Sequence, residues 1–283
     1  MTTSSSGVTL TASGGTQGRT MASTAIALAV LAGIAIAAAT LPDDGLRSHL
    51  SERSLPPDLA HPFGTDPLGR DMLTRTIKGL AVSLQVGLMS AGLATLLAAT
   101  LGIAAALDRR LDAVIGGLID MTLALPHLVL LVLVSFAIGG GTKGVIIAIV
   151  FSHWPGLARL VRAEVRGVLA ADYVAVARRL GLSRLSVAVR HVTPHILPQA
   201  LVGGILLFPH AILHEAAMTF LGFGLEPHKP AVGILLAESL RYLSAGLWWL
   251  GVLPGLALLT MVLTFERVAA GVRLTLDPRR MQE

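Results

Sequence analysis

From Gly79 to Leu107 the chain runs for 29 residues without one charged side chain. About 20 apolar residues are enough to carry a helix across a bilayer, so this run spans with room to tilt. Inside lipid every backbone N–H and C=O must find its partner within the protein, which leaves helices and closed barrels. A continuous apolar run, rather than one alternating every second residue, selects the helix. Comparable stretches are Thr20–Pro42, Ala113–Ile138 (broken only by Asp120 and His127), Val145–Val161 with Pro155 inside it, Gln199–Leu221, and Tyr242–Phe265. The composition agrees, since only 14% of residues are charged and mean hydropathy is +0.73, against about 25% charged in soluble domains. The fold class expected is all-α: a polytopic membrane bundle of six transmembrane helices with one long cytoplasmic loop.

The runs divide the chain. Residues 1–20 are rich in Ser, Thr and Gly and read as a disordered cytoplasmic N-terminus. Residues 21–42 form a first span, retained rather than cleaved because a signal core is shorter and further spans follow. Residues 43–78 are polar, Pro-rich and extracytoplasmic. Residues 79–283 hold the remaining spans, with a basic amphipathic loop at 162–198 too polar to cross. A net charge of +5 invites a nucleic-acid reading, but the basic residues lie between spans and act as topology signals. With the N-terminus inside, 14 of the 22 Lys and Arg fall on cytoplasmic segments, the C-terminal arginines Arg267, Arg273, Arg279 and Arg280 among them. Both termini are therefore expected in the cytoplasm. The chain has no cysteine, which excludes disulfides and thiolate metal sites.

Within the long loop, DYVAVARRLGLSRLSVAVRHVTPHILP (Asp172 to Pro198) reads as a short helix over Asp172–Leu180. Gly181 breaks it, and a second amphipathic helix ends near Pro194; glycine allows the left-handed conformation that closes a helix. Such a pair either rests on anionic lipid or offers a knob to a protein partner. The segment resembles the coupling ("EAA") loop of binding-protein-dependent ABC importer permeases, on Ala177, Gly181 and Pro194. It departs at Ala175 and Val176, where the family has Glu and Ala. The resemblance implies that Asp172, Tyr173, Ala177, Arg178, Leu180, Gly181 and Pro194 couple the chain to an ATPase.

FGTDPLGRDMLTR (Phe63 to Arg75) is similar to the G-T-D-x-x-G-R-D signature of C-type permease subunits of dipeptide, oligopeptide and nickel importers. Gly64 and Gly69 suit turns, and Asp66, Arg70 and Asp71 have the charges to pair with one another. The string is either a self-capping external loop or a contact for a substrate-binding protein. MTFLGFGLEP (Met218 to Pro227) resembles the same family's turn after the fifth span, so the likeness runs from about Leu59 to Pro278.

Polar groups at membrane depth are costly and usually face a bundle interior or a pathway. They are Asp120, His127, His210, His214 and Glu215. His210 and His214 stand four apart, on one helix face, and such a pair presents two nitrogens to a divalent metal. The plainer account is that each imidazole hydrogen-bonds a neighbouring helix. The string FPHAILHEAAMTFLGFG is closer to the nickel and metal-chelate members, so nickel or another transition metal, free or as a small chelate, is the expected cargo, with di- or oligopeptides as the alternative.

No G-x-x-x-x-G-K-[ST] loop is present, and GGGTKG (Gly139 to Gly144) lacks its spacing. The chain therefore carries no cofactor and is not an enzyme. The resemblance implies partners: a second homologous permease subunit, two cytoplasmic ATPases that bind ATP and Mg, and an extracytoplasmic solute-binding protein. Membrane lipid surrounds them, and no nucleic acid is involved. An ion-coupled secondary carrier is the rival class; it calls for an inverted internal repeat, which the sequence does not display. A purely structural scaffold leaves the buried Asp and His residues without a reason.

Overall fold

A computed structural model describes residues 13–275. The disorder expected for the first 12 residues, and the arginines Arg279 and Arg280, lie outside the described residues. The architecture is helical. Long helices α1 (Ser13–Thr40), α2 (Met72–Leu107), α5 (Gly141–Leu169), α8 (Thr193–Phe220) and α10 (Trp249–Thr275) are joined by shorter α3 (Arg109–Leu123), α4 (His127–Ala137), α6 (Asp172–Arg179), α7 (Arg184–Val187) and α9 (Val232–Ser239). Among the described residues five helical stretches are long and apolar enough to cross a membrane, or six where the bent pair α3–α4 counts as one span.

Three boundaries differ from the sequence reading. First, α1 begins at Ser13, ahead of the first span as read from the sequence. Second, the third span is not continuous. It breaks after Leu123, and α4 leaves α3 at an angle of 105°. Pro126 supplies the reason: it disfavours helix in the residue before it and starts the next helix with its fixed φ. Third, the second loop helix does not end at Pro194. α7 passes through one π-helical stretch, Ala188–Val192, into α8, and Pro194 is the second residue of α8. Pro155, Pro198 and Pro209 are accommodated inside α5 and α8, as membrane helices tolerate when neighbours satisfy the freed carbonyls.

Small residues let α2 lie close to its neighbours. Ser90, Ala94 and Ala98 are fully buried, and a Cβ on Gly102 would stand 2.8 Å from Val161 Cγ1 and 3.0 Å from the Ala158 carbonyl. Packing of this kind drives membrane helices together when no hydrophobic gradient does so. One apolar cluster (Ala98, Ile115, Trp154, Leu157, Val161, Val165) extends into the 172–192 segment through Val174, Val187 and Val192. A second joins α1 to α8 and α10, and a third fills the space between α2, α4, α5 and α8. At the opposite end Met72, Leu235, Trp249 and Leu250 form the floor beneath residues 43–71.

Candidate functional site

At one end of the bundle α6 stands out from the helices that carry it. Val174 and Ala177 face inward, while Tyr173, Val176 and Leu180 are 51%, 54% and 77% exposed. Asp172, Arg178 and Arg179 are exposed beside them. The helix closes by a Schellman arrangement: Leu182 N–H donates to the Ala177 carbonyl at 3.2 Å and Gly181 N–H to the Arg178 carbonyl at 3.1 Å. Gly181 has φ +91°, a conformation that strains other residues. Ala175, at the position where related loops carry Glu, also points outward. The Tyr173 ring leans on His191 of the π-helical stretch, 5.8 Å between centroids. Apolar side chains thus stand exposed on a braced helix, with Arg178 and Arg179 beside them.

The opposite end is organised by Asp66, which is 2% exposed. Its carboxylate accepts from the backbone N–H groups of Leu68 and Arg70 (both 2.9 Å), from Arg70 Nε (2.6 Å) and from Arg75 Nη1 (2.6 Å). Arg75 extends the network to Glu238 of α9 at 2.8 Å. Asp71 does not join this group; it caps α2 by accepting from Thr74 N–H at 2.7 Å and meets His61 at 3.2 Å. Gly64 and Gly69 hold φ +69° and +76°; a Cβ on Gly64 would press on the Leu55 carbonyl and the Trp249 ring, and one on Gly69 on the His49 carbonyl. Trp249 Nε1 donates to the Thr65 carbonyl at 3.2 Å, tying the loop to α10. The segment is thus a self-capping lid on this end. Beneath it Asp66, Arg70, Arg75, Glu238 and Tyr242 line a cavity of about 200 Å³. In the turn before α9, Glu226 accepts from Thr142 Oγ1 at 2.7 Å, and this bond first, with Lys229 helping, holds its carboxyl down to about 2.

Between the two ends the structure rearranges the expected polar set. His210 is not among the imidazoles that gather around His214. His210 is exposed and lines a separate cavity of about 550 Å³ with Leu206, Pro209, Glu266 and Arg273. His214 instead meets His127 at the start of α4 and His153 of α5, with ring centroids 4.5, 4.8 and 5.1 Å apart and edge-to-face orientations. One ligand nitrogen from each lies within 4.8 Å of the others. His153 escaped the sequence reading although it sits in an apolar span, SHWP, where an imidazole is as costly as at His127. Its position is about 18 Å along α5 from Gly141, and His214 is about 9 Å from the Phe220 end of α8, by the rise of a helix.

Glu215, expected on a pathway, is fully buried between α8 and α2, where Ser83 Oγ (2.6 Å) and Thr219 Oγ1 (2.9 Å) donate to it. It is an interhelical clasp. Asp120 is exposed and accepts from Arg159 of α5 at 2.8 Å. Towards the α6 end Asp112 pairs with Arg162 (2.5 Å) and Arg166 (2.6 Å).

Comparison with known proteins fits this geometry. Residues 98–280 match the family described as "Binding-protein-dependent transport system inner membrane component". The chain is 39% identical over 231 residues to a putative peptide transport system permease protein of Brucella abortus, covering 82% of this chain and 78% of that one. It is 38% identical to the di/tripeptide transport system permease protein of Pseudomonas aeruginosa (77% and 72% covered). It is 34% identical over 270 residues to the nickel transport system permease protein of Escherichia coli (91% and 95% covered). An amino acid ABC transporter solved with histidines shares the fold, with a TM-score of 0.55 at 17% identity over 70% of this chain and 92% of that one. The chain therefore belongs to the binding-protein-dependent inner-membrane components of ABC importers, within their dipeptide, oligopeptide and nickel branch.

Proposed function

We propose that this chain is one membrane-spanning half of an importer for di- or oligopeptides, pairing with a second, related permease and two ATPases. The family works with ATPases and solute-binding proteins, and hydrolysis belongs to the ATPases. The observation that carries the reading is the exposed α6 knob, with Tyr173, Val176 and Leu180 presented on a braced helix. Peptide cargo is favoured over the metal expected from the histidines because relatives at 38–39% identity are named for peptides. Both termini then lie in the cytoplasm with α6, and residues 43–71 face the solute-binding protein. Closure of the ATPases would push α6 and swing the bundle between inward- and outward-facing arrangements, a rigid-body switch without covalent chemistry.

A second reading, nickel or a small metal chelate as cargo, is favoured by the His127–His153–His214 cluster. Uptake into proteoliposomes holding the assembled complex and its binding protein separates the two. ATP-dependent accumulation of labelled dipeptide, with no accumulation of labelled nickel, is the expected result. Nickel uptake without peptide uptake would select the second reading. Transport of either solute with the ATPases left out would overturn the importer class.

A further inference from the structure

The histidine cluster has a chemistry of its own, whichever solute the importer carries. His153 Nδ1 stands 2.9 Å from the Ile149 carbonyl, and His214 Nδ1 stands 2.7 Å from the His210 carbonyl. A carbonyl only accepts, so a hydrogen bond at either place puts a proton on Nδ1 and leaves Nε2 with a lone pair; Ser152 Oγ also lies 2.9 Å from His153 Nδ1. That division of labour, one ring nitrogen bonded to a backbone carbonyl and the other free, is how protein imidazoles are oriented toward a metal. His127 completes the group from a third element, and its Nε2 is buried with no hydrogen-bond partner. Pro126 and the α3–α4 break place it there, at the first residue of α4. Three imidazoles from α4, α5 and α8 thus converge with too few donors among them to satisfy one another.

We propose that His127, His153 and His214 form a binding site for one divalent first-row transition cation. Nitrogen-only donors without carboxylate suit Ni²⁺, Co²⁺, Cu²⁺ or Zn²⁺ and disfavour Mg²⁺ and Ca²⁺, which take oxygen. The dimensions fit. Three nitrogens at the 4.8 Å limit leave a central ion about 2.8 Å from each, so each ring closes by at most ~0.7 Å to reach the ~2.1 Å of a metal–imidazole bond. A fourth position stays open toward the half-exposed side of the cluster, for water or for a donor atom of an arriving ligand. The same cation can come from two sources, the free ion or a complex with a small chelating peptide.

The site is tested on the full-length chain, purified in the complex it forms with its partner subunits. Co²⁺ and Ni²⁺ are titrated alone, and Ni²⁺ is also presented premixed with one equivalent of glycylhistidine. One ion per copy of the chain is expected, with the visible d–d bands of a low-coordinate Co²⁺ site. Each of H127Q, H153Q and H214Q should weaken binding at least ~10-fold, since even disturbing a ligand's supporting group costs 10–100-fold. H210Q, four residues from His214 and outside the cluster, should change nothing. Co-purification of the ATPases shows that each variant still assembles; one that does not is replaced by the corresponding Asn variant. Binding from the glycylhistidine arm alone assigns the metal–peptide complex as the ligand, and binding from the free ion alone assigns the cation. The proposal is overturned if the triple Gln variant binds Co²⁺ as well as the native chain, or if H210Q costs as much as H214Q. Neither result depends on transport, so failure of the site leaves the importer reading standing.

Discussion

At the scale of single residues the chain invests most in Asp66. Four donors, two of them guanidinium groups, converge on a carboxylate that is almost wholly removed from solvent. Removing one partner of a buried ion pair strands the other, at a cost of about 3–5 kcal/mol. D66A should therefore lower the thermal midpoint of the purified protein sharply, and a variant that melts with the native chain would refute the organising role. Glu226 makes a prediction in pH. Its carboxyl is held at about 2 against 4.5 when unconstrained. A depressed carboxyl stabilises the fold fully above 4.5 and loses that contribution as pH falls toward 2. The difference in midpoint between E226Q and the native chain should thus stay flat from about pH 8 to about pH 5 and shrink only below about 4.5; a difference that shrinks near neutrality would contradict the assignment. Residues also show where sequence reading stops. A spacing of four reveals which histidines share a helix face, and so offered His210 with His214. It is blind to rings brought from different helices, and the cluster draws His214 together with His127 and His153 across three elements.

Elements were more legible than sites. Charge-free runs located the long helices because lipid leaves the backbone no other arrangement. Gly181 marked the end of α6, since the left-handed closure it adopts is written in the residue itself. What hydropathy could not see was geometry within an apolar stretch: the 105° break at Pro126 changes direction without changing polarity. The run from α7 into α8 was missed for the opposite reason, because Pro194 looks like a stop yet the helix continues past it after a π-helical stretch. The prediction at this scale concerns α6. Leu180→Asp should weaken association with the ATPases by about 10–30-fold, as expected for losing one apolar anchor at the centre of an interface. The chain itself should stay folded, because Leu180 touches solvent and Val174 and Ala177 remain in place. Native-level co-purification of ATPase with this variant would remove α6 from the interface.

For the whole molecule the absence of cysteine is an experimental convenience. A single cysteine introduced at Ser48 should react with a membrane-impermeant maleimide in intact cells, and one at Ser183 should react only after the cells are opened. The reverse pattern would invert the proposed orientation. From Arg184 to Phe220 the backbone is helical throughout, about 55 Å measured along its path. A helical stretch of that length, moved as one body, turns small rotations into large excursions. Pivoting it by about 5° around its middle carries each tip up to roughly 2.4 Å sideways, in opposite directions. In the proposed cycle a nudge delivered beside Gly181 would then arrive at the Gly222 turn with its sense reversed, needing no chain of intermediate messengers: leverage would do the work of a relay.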